Sequence, residues 1–281
     1  MIDQFRIRQA FSRAAAGFAA NDFLHREIRA RLLDRLQGIV TEPARIIDLG
    51  AGTGGATPAL KARYPEARIL SVDSSEAMLA AGQTTQWPIC ADAANLPLAD
   101  GCIDLAISNL MLHHCPDPTA VLSEARRVLT DHGVLLLTTF SRNCLTELGR
   151  AWATADRFTH IAPFFDIQDL GDLFAATGFA EPVLDCQTLT VTYDSLPRMM
   201  RELRHAGSTN ATDDRNRGLT GRGAWQRLTA AYDQLREPAG KLPVTLEIIF
   251  GVTWAGRRPG SGGAVEIPVD EIRRVLRNPH R

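Results

Sequence analysis

Hydrophobic positions along the chain change their period near residue 40 and again near residue 140. Before residue 40, Leu24, Ile28, Leu32, Leu33 and Leu36 recur at helical spacing with arginines between them, which predicts helix. From residue 45, short apolar runs alternate with helical segments. The runs Arg45–Leu49, Arg68–Val72, Pro88–Ala91, Ile103–Ser108 and Gly133–Thr139 read as strands. Thr57–Tyr64, Ser75–Gln83 and Thr119–Leu129 read as helices. Ser74 or Ser75 caps the second, and Pro116-Asp117-Pro118 starts the third. Strands alternating with helices of about 10–15 residues predict an α/β fold with a parallel sheet covered on both faces. Ligands of such sheets settle beyond the carboxyl ends of the strands. The loops after Leu49, Val72, Ala91 and Ser108 therefore share one edge.

The rhythm loosens after Phe140. Thr146–Asp156 and Ile167–Thr177 read as helices, Val183–Tyr193 and Val244–Ala255 as strands. Between those strands, residues 194–243 form an insertion with helices Ser195–Ala206 and Thr220–Leu235, expected to sit over one end of the sheet as a lid. Residues 1–255 are expected to be one domain. The Arg-rich, Gly/Pro-broken stretch 256–281 is expected to be a flexible tail.

Composition narrows the classes. The 281 residues carry a formal net charge of −1, which excludes a bulk electrostatic nucleic-acid binder. No apolar run approaches the ~18 residues of a membrane span, and the N-terminus lacks the apolar core of a secretory signal. Cys90, Cys102, Cys115, Cys144 and Cys186 are scattered without a CxxC pair. That pattern suggests reduced thiols in a cytoplasm, with no metal site.

The candidate chemistry starts at Asp48-Leu-Gly50-Ala-Gly52-Thr-Gly54-Gly55, a turn between a strand and a helix. Glycines let backbone approach a ligand closely. Gly50, Gly52 and Gly55 also satisfy the dinucleotide pattern G-x-G-x-x-G, so a pyrophosphate ligand has to be weighed. The acids favour another ligand. Asp48 sits awkwardly beside a pyrophosphate but suits an ammonium group. Asp73 ends the second strand, where an acid accepts from ribose hydroxyls. Asp92 ends the third, within reach of an adenine amino group, and Met78 is placed to stack on adenine. A ligand with a cationic amino acid, a ribose and an adenine but no phosphate is S-adenosylmethionine.

Residues 40–140 resemble a class I methyltransferase, which implies a Rossmann-like, seven-stranded, mostly parallel sheet whose last strand, Val244–Ala255, is antiparallel. Asp104-Leu-Ala-Ile-Ser-Asn109-Leu resembles its fourth strand and the residues closing over the methionine moiety, and the resemblance adds Ala93 to the cofactor set. Three flanking segments resemble the malonyl-[acyl-carrier protein] O-methyltransferases of biotin synthesis: Ala10–Phe18, Thr138–Trp152 and Ser195–Asn210. The chain departs from that family at Phe18, usually tyrosine, and near His114, often tryptophan.

Membership implies that the free carboxylate of a malonyl thioester, on acyl-carrier protein or coenzyme A, attacks the cofactor's methyl group. A carboxylate is already anionic at pH 7, so no catalytic base is expected, and no His-plus-acid pair stands out. Arg13 or an arginine of the lid is expected to seat the carboxylate. His113 and His114 are expected to line the substrate pocket, while Trp152 and Phe158 are expected to pack into the core. Arg198, Arg201 and Arg204 fall along one face of a lid helix, a candidate dock for an acidic carrier. Two other readings remain open: an assembly factor of the complex I type acting on a protein, and a generic small-molecule methyltransferase.

Overall fold

A computed structural model describes residues 2–205 and 210–256, without the His205 side chain. The expected tail and the start of the loop between the two insertion helices lie outside the described residues. The predicted N-terminal helix is broken in two at Asp22, giving α1 (Gln4–Asn21) and α2 (Phe23–Asp34), followed by a 3-10 turn over Arg35–Gly38. Asp3 starts α1 by accepting from the Arg6 amide at 3.1 Å. The break redirects the chain. Ile28 and Leu32 of α2 then pack into the core, while α1 runs across the end of the sheet.

The alternating region gives β1 (Arg45–Leu49), α3 (Thr57–Arg63), β2 (Arg68–Asp73), α4 (Glu76–Ala81), β3 (Pro88–Cys90), β4 (Ile103–Asn109), α5 (Pro118–Val128) and β5 (Leu129–Phe140). Ser75 caps α4, accepting from the Met78 amide at 3.3 Å. Asp117 caps α5 through the Ala120 amide at 2.9 Å, with Pro118 in its first turn. Next come α6 (Thr146–Ala155), α7 (Ile167–Ala176), β6 (Phe179–Tyr193), α8 (Leu196–His205), α9 (Arg222–Asp233) and β7 (Leu242–Ala255).

The strands form one seven-stranded sheet in the order β3-β2-β1-β4-β5-β7-β6, with β7 antiparallel to both neighbours. Neighbouring residues of β1 divide between the two faces. Ile46 joins one core cluster with α2, α3, α6, α8 and α9; Ile47 joins the other with α5 and α7. Burial on both faces is what a parallel sheet requires. The chain leaves β1 toward β2 and β3, then crosses back to β4. That reversal opens a crevice at the carboxyl ends of β1 and β4.

Three strands run beyond their apolar patterns. β5 begins at Leu129, not Gly133, because buried Leu129 pairs with Ile103 before the strand kinks at His132 (φ +67°). β6 starts at Phe179 and β7 at Leu242, because edge strand β6 pairs with β7 along their length, from Phe179↔Ala255 to Tyr193↔Leu242. Backbone pairing there does not depend on an apolar side chain. In the insertion, α9 packs along α6 and buries Leu228 and Tyr232, whose hydroxyl donates to the Pro243 carbonyl at 2.9 Å. Helix α8 buries Leu196 and Met199 and packs against α1. The two are joined again where the Asp3 amide donates to the Ala211 carbonyl at 2.8 Å and Ile2 bridges Thr212.

Candidate active site

A cleft of about 980 Å³, partly open to solvent, lies over the crevice. Its wall includes every residue expected to bind the cofactor: Asp48, Gly50, Gly52, Asp73, Met78, Asp92, Ala93 and Asn109. The turn after β1 needs its glycines. Gly50 has φ +73°, and a Cβ there would lie 2.5 Å from Met111. Gly52 has φ +56°, and a Cβ there would lie 3.2 Å from Met78. Asp73 fixes this turn to the end of β2. Its two carboxylate oxygens accept from the Gly52 amide at 2.9 Å and the Ser75 amide at 2.8 Å.

The acids differ electrostatically. Burial pushes Asp48 from an ordinary 3.8 up to about 7; Arg29 opposes the shift and Asp73 adds to it. Among the described residues no protein donor hydrogen-bonds the Asp48 carboxylate. Burial also raises Asp73, against its two backbone hydrogen bonds. Asp92 accepts from Gln4 Nε2 at 2.6 Å and from the Ala94 amide at 3.0 Å. Asn109 is committed to the protein: its Nδ2 donates to the His25 carbonyl at 3.1 Å, and its Oδ1 accepts from Thr138 Oγ1 at 2.9 Å.

These residues fit S-adenosylmethionine. A buried carboxylate without a protein donor suits an ammonium group. The backbone at Gly50 and Gly52 leaves room that a side chain would fill. The acids at the ends of β2 and β3 lie farther along the same cleft.

A second cavity, about 1030 Å³, adjoins the first. Ile7, His25 and His114 line both. Apolar groups dominate the second cavity, among them Phe140, Phe164, Leu203 and Leu246, and among the described residues no Arg or Lys lines it. Its polar groups include His113, His160, Tyr193, Glu202 and Asn210. Burial lowers His25 and His114 to about 4, and His113 well below its ordinary value, so all three are neutral at pH 7. His113 Nδ1 lies 3.3 Å from Thr139 Oγ1. His160 stacks on Trp152, with ring centroids 3.5 Å apart, and its Nε2 lies 2.8 Å from Asp156 Oδ1. Of this pair, His160 lines the second cavity and Asp156 does not. The i, i+4 spacing falls in a loop after α6, where no helical pattern exposes it.

The arginines expected at the carboxylate lie elsewhere. Arg13 is exposed, donates to Gln9 at 3.0 Å and lines neither cavity. Arg198, Arg201 and Arg204 are exposed on the outer face of α8, because Leu196 and Met199 turn the opposite face inward. Arg198 is paired with Asp194 at 2.9 Å and Glu202 at 3.1 Å. Trp152 is buried as expected, but Phe158 is 41% exposed because it follows the end of α6. Sequence reasoning missed Gln4, Ile7, Phe11, Phe18, His25 and Arg29, all on α1 and α2 and all lining the cleft. For Ile7, Phe11 and Phe18 the signal was the apolar face of α1, which a sequence alone does not assign to a ligand; Gln4, His25 and Arg29 carried none.

Among the described residues, no three His, Cys, Asp or Glu side chains gather to hold a metal, and no helix is long and apolar enough to cross a membrane. Residues 47–137 match the family model of a methyltransferase domain. The fold matches the YcgJ protein of Bacillus subtilis with a TM-score of 0.58 at 16% identity, over 81% of this chain and 98% of that one. Phosphoethanolamine N-methyltransferase 2 of Haemonchus contortus, solved with S-adenosylhomocysteine, matches with a TM-score of 0.50 at 15% identity, over 82% of this chain and 52% of that one. Sheet order, glycine turn and acids at the strand ends define a class I, S-adenosylmethionine-dependent methyltransferase.

The sequence relatives are closer. A malonyl-[acyl-carrier protein] O-methyltransferase of Laribacter hongkongensis is 42% identical over 266 residues, 90% of this chain and 89% of that one. Another, from Gallionella capsiferriformans, is 40% identical over 90% of this chain and 91% of that one. This chain belongs to the malonyl-[acyl-carrier protein] O-methyltransferase family.

Proposed function

We propose that this chain methylates the free carboxylate of a malonyl group carried as a thioester on acyl-carrier protein, as the names of its relatives indicate for them. The observation that carries this reading is the pair of cavities with a common wall. One has glycines and acids suited to S-adenosylmethionine; the other is lined mainly by apolar groups suited to an acyl chain. When bound, S-adenosylmethionine supplies an electrophilic methyl group on a sulfonium.

The chain's own residues contribute position and dryness. Asp48, Asp73 and Asp92, at the ends of three neighbouring strands, would hold the cofactor's polar groups, and Met78 of the same wall would pack against its adenine. Phe11, Phe18 and Ile7 of α1 cover the cleft and exclude water. The attacking carboxylate needs no base, so the neutral histidines take no proton from it, and catalysis rests on alignment at the common wall. Leu203, Asn210, Ala211 and Thr212 of the insertion line the acceptor cavity, which supports a lid role for residues 194–243. The exposed arginines of α8 suit an acidic carrier. The five free cysteines support a cytoplasmic setting for the reaction.

Incubation of the purified protein with S-adenosylmethionine and malonyl-carrier protein tests the reading by intact mass. The carrier is expected to gain the mass of one methyl group. A carrier of unchanged mass, with cofactor binding intact, would reject malonyl as the acceptor and favour a protein-directed role.

A further inference from the structure

Four buried side-chain polar atoms among the described residues have no hydrogen-bond partner: His25 Nδ1, Thr57 Oγ1, Ser71 Oγ and Ser108 Oγ. Of these, only His25 lines either cavity, and it lines both. A buried nitrogen without a partner costs roughly 1–3 kcal/mol. At a ligand site such a group is commonly completed by the ligand.

The protein holds His25 firmly. Its carbonyl accepts from Asn109, Asn109 accepts from Thr138, and the Thr138 hydroxyl accepts from the Leu110 amide at 2.9 Å. This chain of bonds ties α2 to the carboxyl ends of β4 and β5. The ring packs against Phe18, with centroids 5.1 Å apart. Helix position and ring face are thus both set before any ligand arrives.

Charge decides which ligand group the ring meets. Among the described residues no Arg or Lys lines the acceptor cavity; Arg26 is exposed, and Arg29 lines the cofactor cleft instead, paired with Asp22 at 3.4 Å. A neutral imidazole still carries one N–H donor. Such a donor orients an anion without the full counter-charge that would lower its nucleophilicity.

We infer that His25 is the substrate-positioning residue, donating a ring N–H to the acceptor's carboxylate at the wall between the two cavities. This rests on the malonyl reading above. The same N–H chemistry also suits the carboxylate of the cofactor's amino-acid part, so the test separates the two sources.

The experiment uses the full chain. In the His25→Ala variant, the KM for malonyl-carrier protein is expected to rise about tenfold or more, with the Kd for S-adenosylhomocysteine within about twofold of wild type; about tenfold corresponds to one lost hydrogen bond to a charged group. His25→Gln, which keeps an N–H donor, is expected to recover most of the loss. A second readout needs no turnover. With ¹⁵N-labelled histidine and S-adenosylhomocysteine bound, malonyl-pantetheine is expected to shift the His25 ring resonances, and its methyl ester to leave them nearly unmoved. An unchanged KM in His25→Ala, or a Kd for S-adenosylhomocysteine that rises in step with KM, would overturn the inference while leaving the malonyl reading intact. Failure of the wild-type protein to methylate malonyl-carrier protein would instead remove the reading, and the inference with it.

Discussion

Asp48 shows how a single side chain anticipates its ligand. In the fold its carboxyl is pushed up to about 7, from an ordinary 3.8, chiefly by burial. Between those values the folded chain binds more protons than the unfolded one. Its contribution to stability is therefore held at low pH and lost as pH rises through about 7. A cationic ligand reverses the preference by favouring the ionised form. Binding of S-adenosylhomocysteine should then release a proton and tighten from about pH 6 to about pH 8. Calorimetry in buffers of different ionisation heat reads this directly; binding heats independent of buffer would contradict it, and Asp48→Asn should abolish the release. Much of this site was legible in the chain. Asp48, Asp73 and Asp92 each close a short apolar run, and residue type plus strand end sufficed to place them. His25 was not legible, because residues 7, 25 and 114 meet only through the packing of α1 and α2 against the end of β4. No sequence period links them. The placement of the arginines was not legible for a related reason: residue type does not say which way a helix faces, and the fold leaves Arg13, Arg198, Arg201 and Arg204 exposed.

At the scale of elements, α1 covers the cofactor cleft. Gln4, Ile7, Phe11 and Phe18 line it, and the Ser12 and Ser75 hydroxyls meet at 2.8 Å to pin α1 to the start of α4. A hydrogen bond of that kind contributes about 1 kcal/mol, or a several-fold factor in an equilibrium constant. Ser12→Ala is therefore expected to speed the release of S-adenosylhomocysteine several-fold while leaving its association rate and the far-ultraviolet spectrum unchanged. Stopped-flow displacement measures it, and an unaltered dissociation rate would mean that α1 does not gate the cleft. The helical character of this region was readable from its apolar spacing; its break at Asp22 was not. That break depends on what lies beneath each half. Core covers α2, whereas the cleft lies under α1.

At the scale of the whole molecule, the net charge is −1, yet the outer face of α8 presents Arg198, Arg201 and Arg204. A local cationic patch on a nearly neutral protein acts on association with an acidic partner more than on fold. Arg201→Glu should raise the KM for malonyl-carrier protein about fivefold at low salt, an effect of about 1 kcal/mol that fades as ionic strength rises. The affinity for S-adenosylhomocysteine should stay as it was. Wild-type kinetics for the carrier at every salt concentration would assign the docking surface elsewhere. The parallel core of the sheet was legible from the alternation of strands and helices, and its antiparallel last strand from the family resemblance; the strand order came only from the structure. The extents of β5, β6 and β7 were not legible either, because cross-strand pairing set them. A last consequence follows from the acceptor cavity's lining of apolar and neutral groups, with Glu202 its ionisable acid. An anionic head group surrenders hydration on entering such a space, whereas the ester made from it surrenders far less. The equilibrium between acid and ester inside the protein therefore leans further toward the ester than it does in bulk water, and emptying the chamber falls to the tethered carrier, which must draw its capped cargo back out.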